Sequence, residues 1–239
     1  MSAEETKRPA FRSWRSYSEF SCRVKNSSRY IWGEEDEEFL RTVLATISDR
    51  DGLLKTGQIL YRAQRGVEWI ERKDSSGTEI AQDVYGYSSE RMKPLRDRAQ
   101  QGRANSTGIP ALYVANTIET AISEVRPWVG AEVSVATCKV SRPLRTLDLS
   151  VTHGKSAFSA FPFYKLFNER ELTSDEIEQA VWTDIDNAFS RPVTQSDDRA
   201  DYVPTQILAE LFRGAGYDAI GYKSHFGDSK SKKGYNIVV

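Results

Sequence analysis

Between Gly102 and Arg126 the chain reads GRANSTGIPALYVANTIETAISEVR, and an arginine, a tyrosine and a glutamate arrive there from three kinds of local structure. Arg103 lies among loop formers, Gly102 through Gly108, where a guanidinium can meet a phosphate as a planar, permanently charged fork. Ala111 to Ala115 is predicted as a short apolar strand carrying Tyr113. Asn116 to Val125 is predicted as a helix begun by an Asn or Thr cap. Ile118, Ala121, Ile122 and Val125 fall at helical spacing, and Glu124 lies beside that stripe rather than in it. Arginine, tyrosine and glutamate are groups that hold and break a nucleotide ester or glycoside. The plainer alternative is a solvated loop arginine, a core-edge tyrosine and a surface glutamate.

The elements that must position these groups lie on both sides. Upstream, Ile59 to Gln64 (ILYRAQ) is predicted as the first strand of the main domain. Downstream, Tyr202 to Phe212 is predicted as an amphipathic helix opened by Pro204 and stopped by Gly214 and Gly216. Tyr217 to Ser224 then reads as a strand, and Tyr235 to Val239 as a closing one. Taken together, ILYRAQ, GRANSTGIPALY, AISEVR and YVPTQILAELFRGAGYDAIGYKS, in that order, resemble the RES domain family, named for its arginine, glutamate and serine.

The resemblance runs from Ile59 to the C-terminus and implies an α/β (α+β) fold with a mixed, split sheet like that of ADP-ribosyltransferases. It also implies cleavage of NAD⁺ between nicotinamide and ribose, with NAD⁺ as substrate and no separate cofactor. Matched motif by motif, the catalytic candidates are Glu124, Arg103, Tyr113 and Ser224. The substrate-binding candidates are Arg62, Arg103, Tyr113 and Ser224, with Tyr61 and Asn105 alongside. Many members are toxins held by an antitoxin, so a cognate antitoxin is the expected partner, and a homo-oligomer is left open. A mono-ADP-ribosyltransferase and a non-catalytic NAD⁺-binding module are the alternatives. The chain departs from the common pattern at Ala104, where many members carry an aromatic residue. It departs again in a long polar stretch between Arg62 and Arg103, read as an insertion or lid, and in an N-terminal extension.

Composition narrows the remaining classes. The 239 residues suit one α/β domain with an extension, and 33 Lys and Arg against 34 Asp and Glu give no electrostatic reason to expect nucleic acid. The basic run Lys230 to Lys233 is read as a solvated loop. Cys22 and Cys138 have neither zinc nor disulfide-framework spacing, and with His153 and His225 the only histidines no metal site is expected. The N-terminus lacks the apolar core of a signal peptide and no run reaches membrane-spanning length, so a cytoplasmic protein without a membrane partner is expected.

A boundary is placed near residue 57, giving a helical extension over 1–57 and the catalytic domain over 58–239. Residues through about Pro9 are expected to be disordered. In the extension Phe11, Trp14, Tyr17 and Phe20 form a helical stripe, and Glu34 to Glu38 open a second helix. Later strands are predicted at Ala131 to Val140 and Leu144 to Leu149. Helices are predicted at Ser156 to Asn168 and at Thr173 to Phe189, the latter with a Thr173/Glu176 capping box.

Overall fold

The computed structural model describes residues 9–95, 98–162, 164–165, 172–191, 199–225 and 234–239; the first eight residues and the 230–233 basic run lie outside them. The strands are β1 (Asp51–Leu54), β2 (Ile59–Arg65), β3 (Glu68–Lys73), β4 (Glu79–Tyr85), β5 (Tyr113–Ala115), β6 (Val133–Lys139), β7 (Leu144–Leu149), β8 (Ala219–Lys223) and β9 (Tyr235–Val238). Seven form one mixed sheet in the order β1-β7-β8-β9-β5-β2-β6, and β3 and β4 form a separate hairpin. β7 and β8 run parallel and the other neighbours antiparallel.

Register assigns the faces, because directly paired residues point the same way and successive ones alternate. Tyr61 pairs with Ala115, Ala115 with Asn236, Asn236 with Tyr222, and Tyr222 with Leu149. These five share the face on which the main core is built. Leu60, Val114 and Ile237 lie on the reverse face, where a smaller apolar cluster forms.

The helices are α1 (Ser16–Asn26), α2 (Glu34–Ala45), α3 (Ile118–Glu124), α4 (Ser174–Ser190) and α5 (Val203–Gly214). Phe20 and Phe39 stack at 4.6 Å and join Phe189, Leu208 and Phe212 in the same core as Leu147 and Ile220 of the sheet. Full burial of such side chains contributes about 1.5–3 kcal/mol each. The apolar residues of the first 57 positions share one cluster with those of the sheet. Their helices complete the main core, and β1, unexpected from the sequence, pairs with β7 at the sheet edge.

The predicted helix from Ser156 is replaced by a 3-10 turn, Ala157–Ala160, after which Phe161 is extended. Pro162 explains this, since the residue before proline is pushed out of the helical region. Of the predicted span, residues 163 and 166–168 lie outside the described ones. α4 has the expected capping box, with Glu176 N donating to Thr173 Oγ1 and Thr173 N to Glu176 Oε2.

Candidate active site

Glu124 is the last residue of α3. Thr117 caps the helix start, its Oγ1 accepting from Thr120 N at 3.1 Å, and Arg126 ends the helix with a left-handed φ of 46°. The carboxylate thus leaves a helix end lying against β2 and β5. Two donors meet it there: Ser224 Oγ donates to Glu124 Oε1 at 2.5 Å and Asn236 Nδ2 donates to the same oxygen at 2.7 Å. Among the described residues, Oε2 receives no hydrogen bond. Tyr222, buried next to Asn236, has its pKa raised chiefly by burial, and the negative field of Glu124 adds to it.

The Arg103 loop is held by α5 and Tyr113. Gln206 Nε2 donates to the carbonyls of Gly102 at 2.8 Å and Asn105 at 3.0 Å; Thr205 Oγ1 donates to that of Arg103 at 2.7 Å, and Arg213 Nη2 to that of Ala104 at 2.9 Å. Four consecutive carbonyls are therefore satisfied from one helix, which explains why Thr205 and Gln206 are buried despite their polarity. The Tyr113 hydroxyl accepts from Ala104 N at 3.0 Å and donates to Asn105 Oδ1 at 2.7 Å. Asn105 Nδ2 in turn serves the carbonyls of Gln100, Ser106 and Ile109 at 2.8–3.2 Å. Burial pushes the Tyr113 phenol up to about 12, so it keeps the proton that this network requires.

Arg103 closes the end of α4. Its Nη1 donates to the carbonyls of Ala188 at 3.0 Å and Phe189 at 2.5 Å, and its Nη2 to that of Arg191. A cation there complements the negative end of the helix dipole. The guanidinium lies 5.9 Å from the centre of the Tyr222 ring, so Tyr222 feels Arg103 as well as Glu124. The structure thus gathers Glu124, Ser224 and Tyr61 on one face and links Arg103 to them through Tyr222. The polar ends of Tyr113 and Asn105 are committed to the loop.

A model of the RES domain family matches residues 79–239. The chain belongs to the RES domain family. No curated protein and no solved structure matches it. The RES family is associated with NAD⁺-related toxin function.

The matched RES segment contains Arg103, Tyr113, Glu124 and Ser224, while Tyr61 and Arg62 precede it. Alternation along β2 sends Arg62 to the reverse face, with Leu60 and Cys138. Its Nη1 is buried without a hydrogen-bond partner, and its pKa is lowered by burial and, less, by Arg91, against the opposing effect of Cys138. The sheet separates it from Glu124.

Asn236, Tyr222 and the α5 side chains are not among the candidates that the sequence offers. Asn236 had a usable signal, as a polar residue inside the apolar closing strand that needs a partner when buried. His153 enters the sequence only as one of its two histidines. It follows β7 in a turn pinned to α4, where Asp186 Oδ2 accepts from Thr152 N at 2.9 Å and Asn187 Oδ1 accepts from Gly154 N at 3.1 Å. Its Nδ1 is buried without a partner, and burial first, then Lys223 and His225, lower its pKa. Among the described residues no His/Cys/Asp/Glu group is arranged to hold a metal, and no helix is long and apolar enough to cross a membrane.

Proposed function

We propose that this RES domain cleaves NAD⁺ at the bond between nicotinamide and ribose. Nicotinamide leaves as a neutral base while positive charge accumulates on the ribose, so the transition state resembles an oxocarbenium ion. A fixed carboxylate beside that sugar stabilises the developing charge and orients a ribose hydroxyl or the attacking acceptor. The observation that carries the reading is the pair of donors on Glu124 Oε1, which fixes the carboxylate while Oε2 stays available for substrate. Ser224 acts as a positioning residue, its proton being committed to Glu124.

Tyr61 supplies the aromatic surface. It is half-buried and lies two strands from Asn236 on the same face, ~10 Å away at the usual strand spacing, a span suited to nicotinamide riboside. Arg103 contributes a positive field toward the phosphates and braces the loop beside them. Its committed hydrogen bonds speak against the free fork that the sequence suggested.

Incubating the full chain with NAD⁺ and identifying every product tests the reading. Free nicotinamide is expected, and the fate of ADP-ribose identifies the acceptor: free for water, a phosphate ester for phosphate, protein-bound for a transferase. Intact NAD⁺ in the presence of proven binding would leave the non-catalytic binding module. A toxin acting on cytoplasmic NAD⁺ should arrest bacterial growth when expressed without an antitoxin. Cellular NAD⁺ should fall in step, and Glu124→Gln should relieve both effects.

A further inference from the structure

Paired residues lay the proposed NAD⁺ site out in a row across the sheet. Tyr61 of β2 pairs with Ala115 of β5, Ala115 with Asn236 of β9, and Asn236 with Tyr222 of β8, so all four point to the same face. With nicotinamide over Tyr61 and the ribose at Glu124, which Asn236 holds, the next group of the substrate reaches Tyr222, one strand or ~5 Å further from Tyr61. That group is the phosphate on the nicotinamide side. The Arg103 guanidinium is close, 5.9 Å from the centre of the Tyr222 ring, but its hydrogen bonds go to the carbonyls of Ala188, Phe189 and Arg191. Arg103 thus supplies a positive field there, and what a phosphate still needs is a direct donor.

Tyr222 has that donor uncommitted. Only 6% of the residue is exposed, yet among the described residues its hydroxyl makes no hydrogen bond. The Tyr113 hydroxyl, by contrast, serves Ala104 and Asn105, and that of Tyr217 donates to Asp51 and accepts from Arg145. A largely buried hydroxyl left unpaired costs stability, and an orphan of this kind points to a partner outside the chain. The described polar atoms wholly shut from solvent without a partner are Arg62 Nη1, His153 Nδ1 and Ser190 Oγ, so the Tyr222 hydroxyl still borders open space. Its pKa is raised by burial first, with Arg103 opposing and Tyr113 and Glu124 adding, so at neutral pH it has a proton to donate. We infer that the Tyr222 hydroxyl binds substrate by donating to the phosphate nearer nicotinamide, which makes the site select the nucleotide over the nucleoside. The inference rests on the reading of this site as one for NAD⁺.

The test sets Tyr222→Phe against the unaltered residue in the full chain, both in the Glu124→Gln background so that ligand is not consumed, with nicotinamide mononucleotide and nicotinamide riboside titrated by calorimetry. The mononucleotide, which carries the phosphate, should bind Tyr222→Phe about tenfold or more weakly, the scale of losing a hydrogen bond to a charged group. The riboside should bind the two proteins alike. Tm should be unchanged or higher in Tyr222→Phe, because the hydroxyl has no partner in the fold to lose. Equal affinity of the two proteins for the mononucleotide would overturn the proposal. An equal loss for both ligands, which would assign the hydroxyl to the ribose, or a lowered Tm, which would assign it to the fold, would overturn it as well. Nicotinamide release from NAD⁺ by the wild type is scored separately: its absence beside a phosphate-dependent loss would remove the cleavage reading and leave Tyr222 as a phosphate donor.

Discussion

The Ser224 hydroxyl donates to Glu124 Oε1 at 2.5 Å, joining the residue just after β8 to the last residue of α3 across a hundred positions of sequence. Asn236 reaches the same oxygen at 2.7 Å from the neighbouring strand, so the aim of the carboxylate depends on both.

Asn236→Asp replaces a donor with a second carboxylate beside Glu124. Two carboxylates in one site raise one pKa strongly, and they share a proton only at lower pH. Nicotinamide release at neutral pH should fall about tenfold or more, on the scale of losing one oriented charge interaction. It should recover in part as the pH is lowered toward the pair's upper pKa. A pH profile parallel to that of the wild type would remove Asn236 from the positioning of Glu124.

Gly102 has no room for a side chain. A Cβ there would lie 2.7 Å from Asn105 Oδ1 and 2.9 Å from Tyr113 Cζ, and nearer still to the Tyr113 hydroxyl. Gly102→Ala should therefore displace the loop network at a cost of about 1–3 kcal/mol and reduce turnover. An unchanged melting temperature together with full activity would show that the loop tolerates displacement.

Tyr113→Phe leaves Ala104 N–H and Asn105 Oδ1 without their shared partner, costing about 1–3 kcal/mol. The effect should depend on pH. The phenol is raised to about 12 in the folded protein, against about 10 when unfolded. Its contribution is complete below about pH 10 and is lost as the pH rises through about 12, amounting to on the order of 2 kcal/mol. Urea midpoints of the two proteins should converge over that interval, and a constant separation would contradict the assignment.

Arg103→Ala removes the donors to the Ala188, Phe189 and Arg191 carbonyls and should destabilise the protein by about 2 kcal/mol. At this chain length that is a fall of several degrees in Tm. The KM for NAD⁺ should rise as well, because the positive field and the braced loop act on substrate from the ground state onward. A lower Tm with unchanged KM would restrict Arg103 to bracing α4.

Local chemistry made much of this fold legible. The Thr173/Glu176 capping box marks α4, Thr117 marks α3, and the apolar run at Tyr113 marks β5, because each is decided by near neighbours in sequence. The Ser156 helix failed because one proline outweighs an otherwise suitable run. β1 was missed because Asp51–Leu54 is too short to show a period and is fixed only by pairing with β7. In the site, Glu124 and Ser224 were legible through family motifs, since nothing local relates residues a hundred positions apart. The separation of Arg62 from Tyr61 depends on which face of β2 the core covers, and the α5 residues that bind the loop look, in sequence, like any polar helix positions.

Release of nicotinamide from NAD⁺ by the wild type and by Glu124→Gln, at matched concentration and with binding measured in both, tests the central claim most directly. The amide keeps an oxygen to accept from Ser224 and Asn236, so fold and binding should persist. Turnover should fall by about a hundredfold or more, because the negative charge facing the oxocarbenium ion is gone. Near wild-type turnover in Glu124→Gln would contradict the assignment of Glu124 as the catalytic carboxylate.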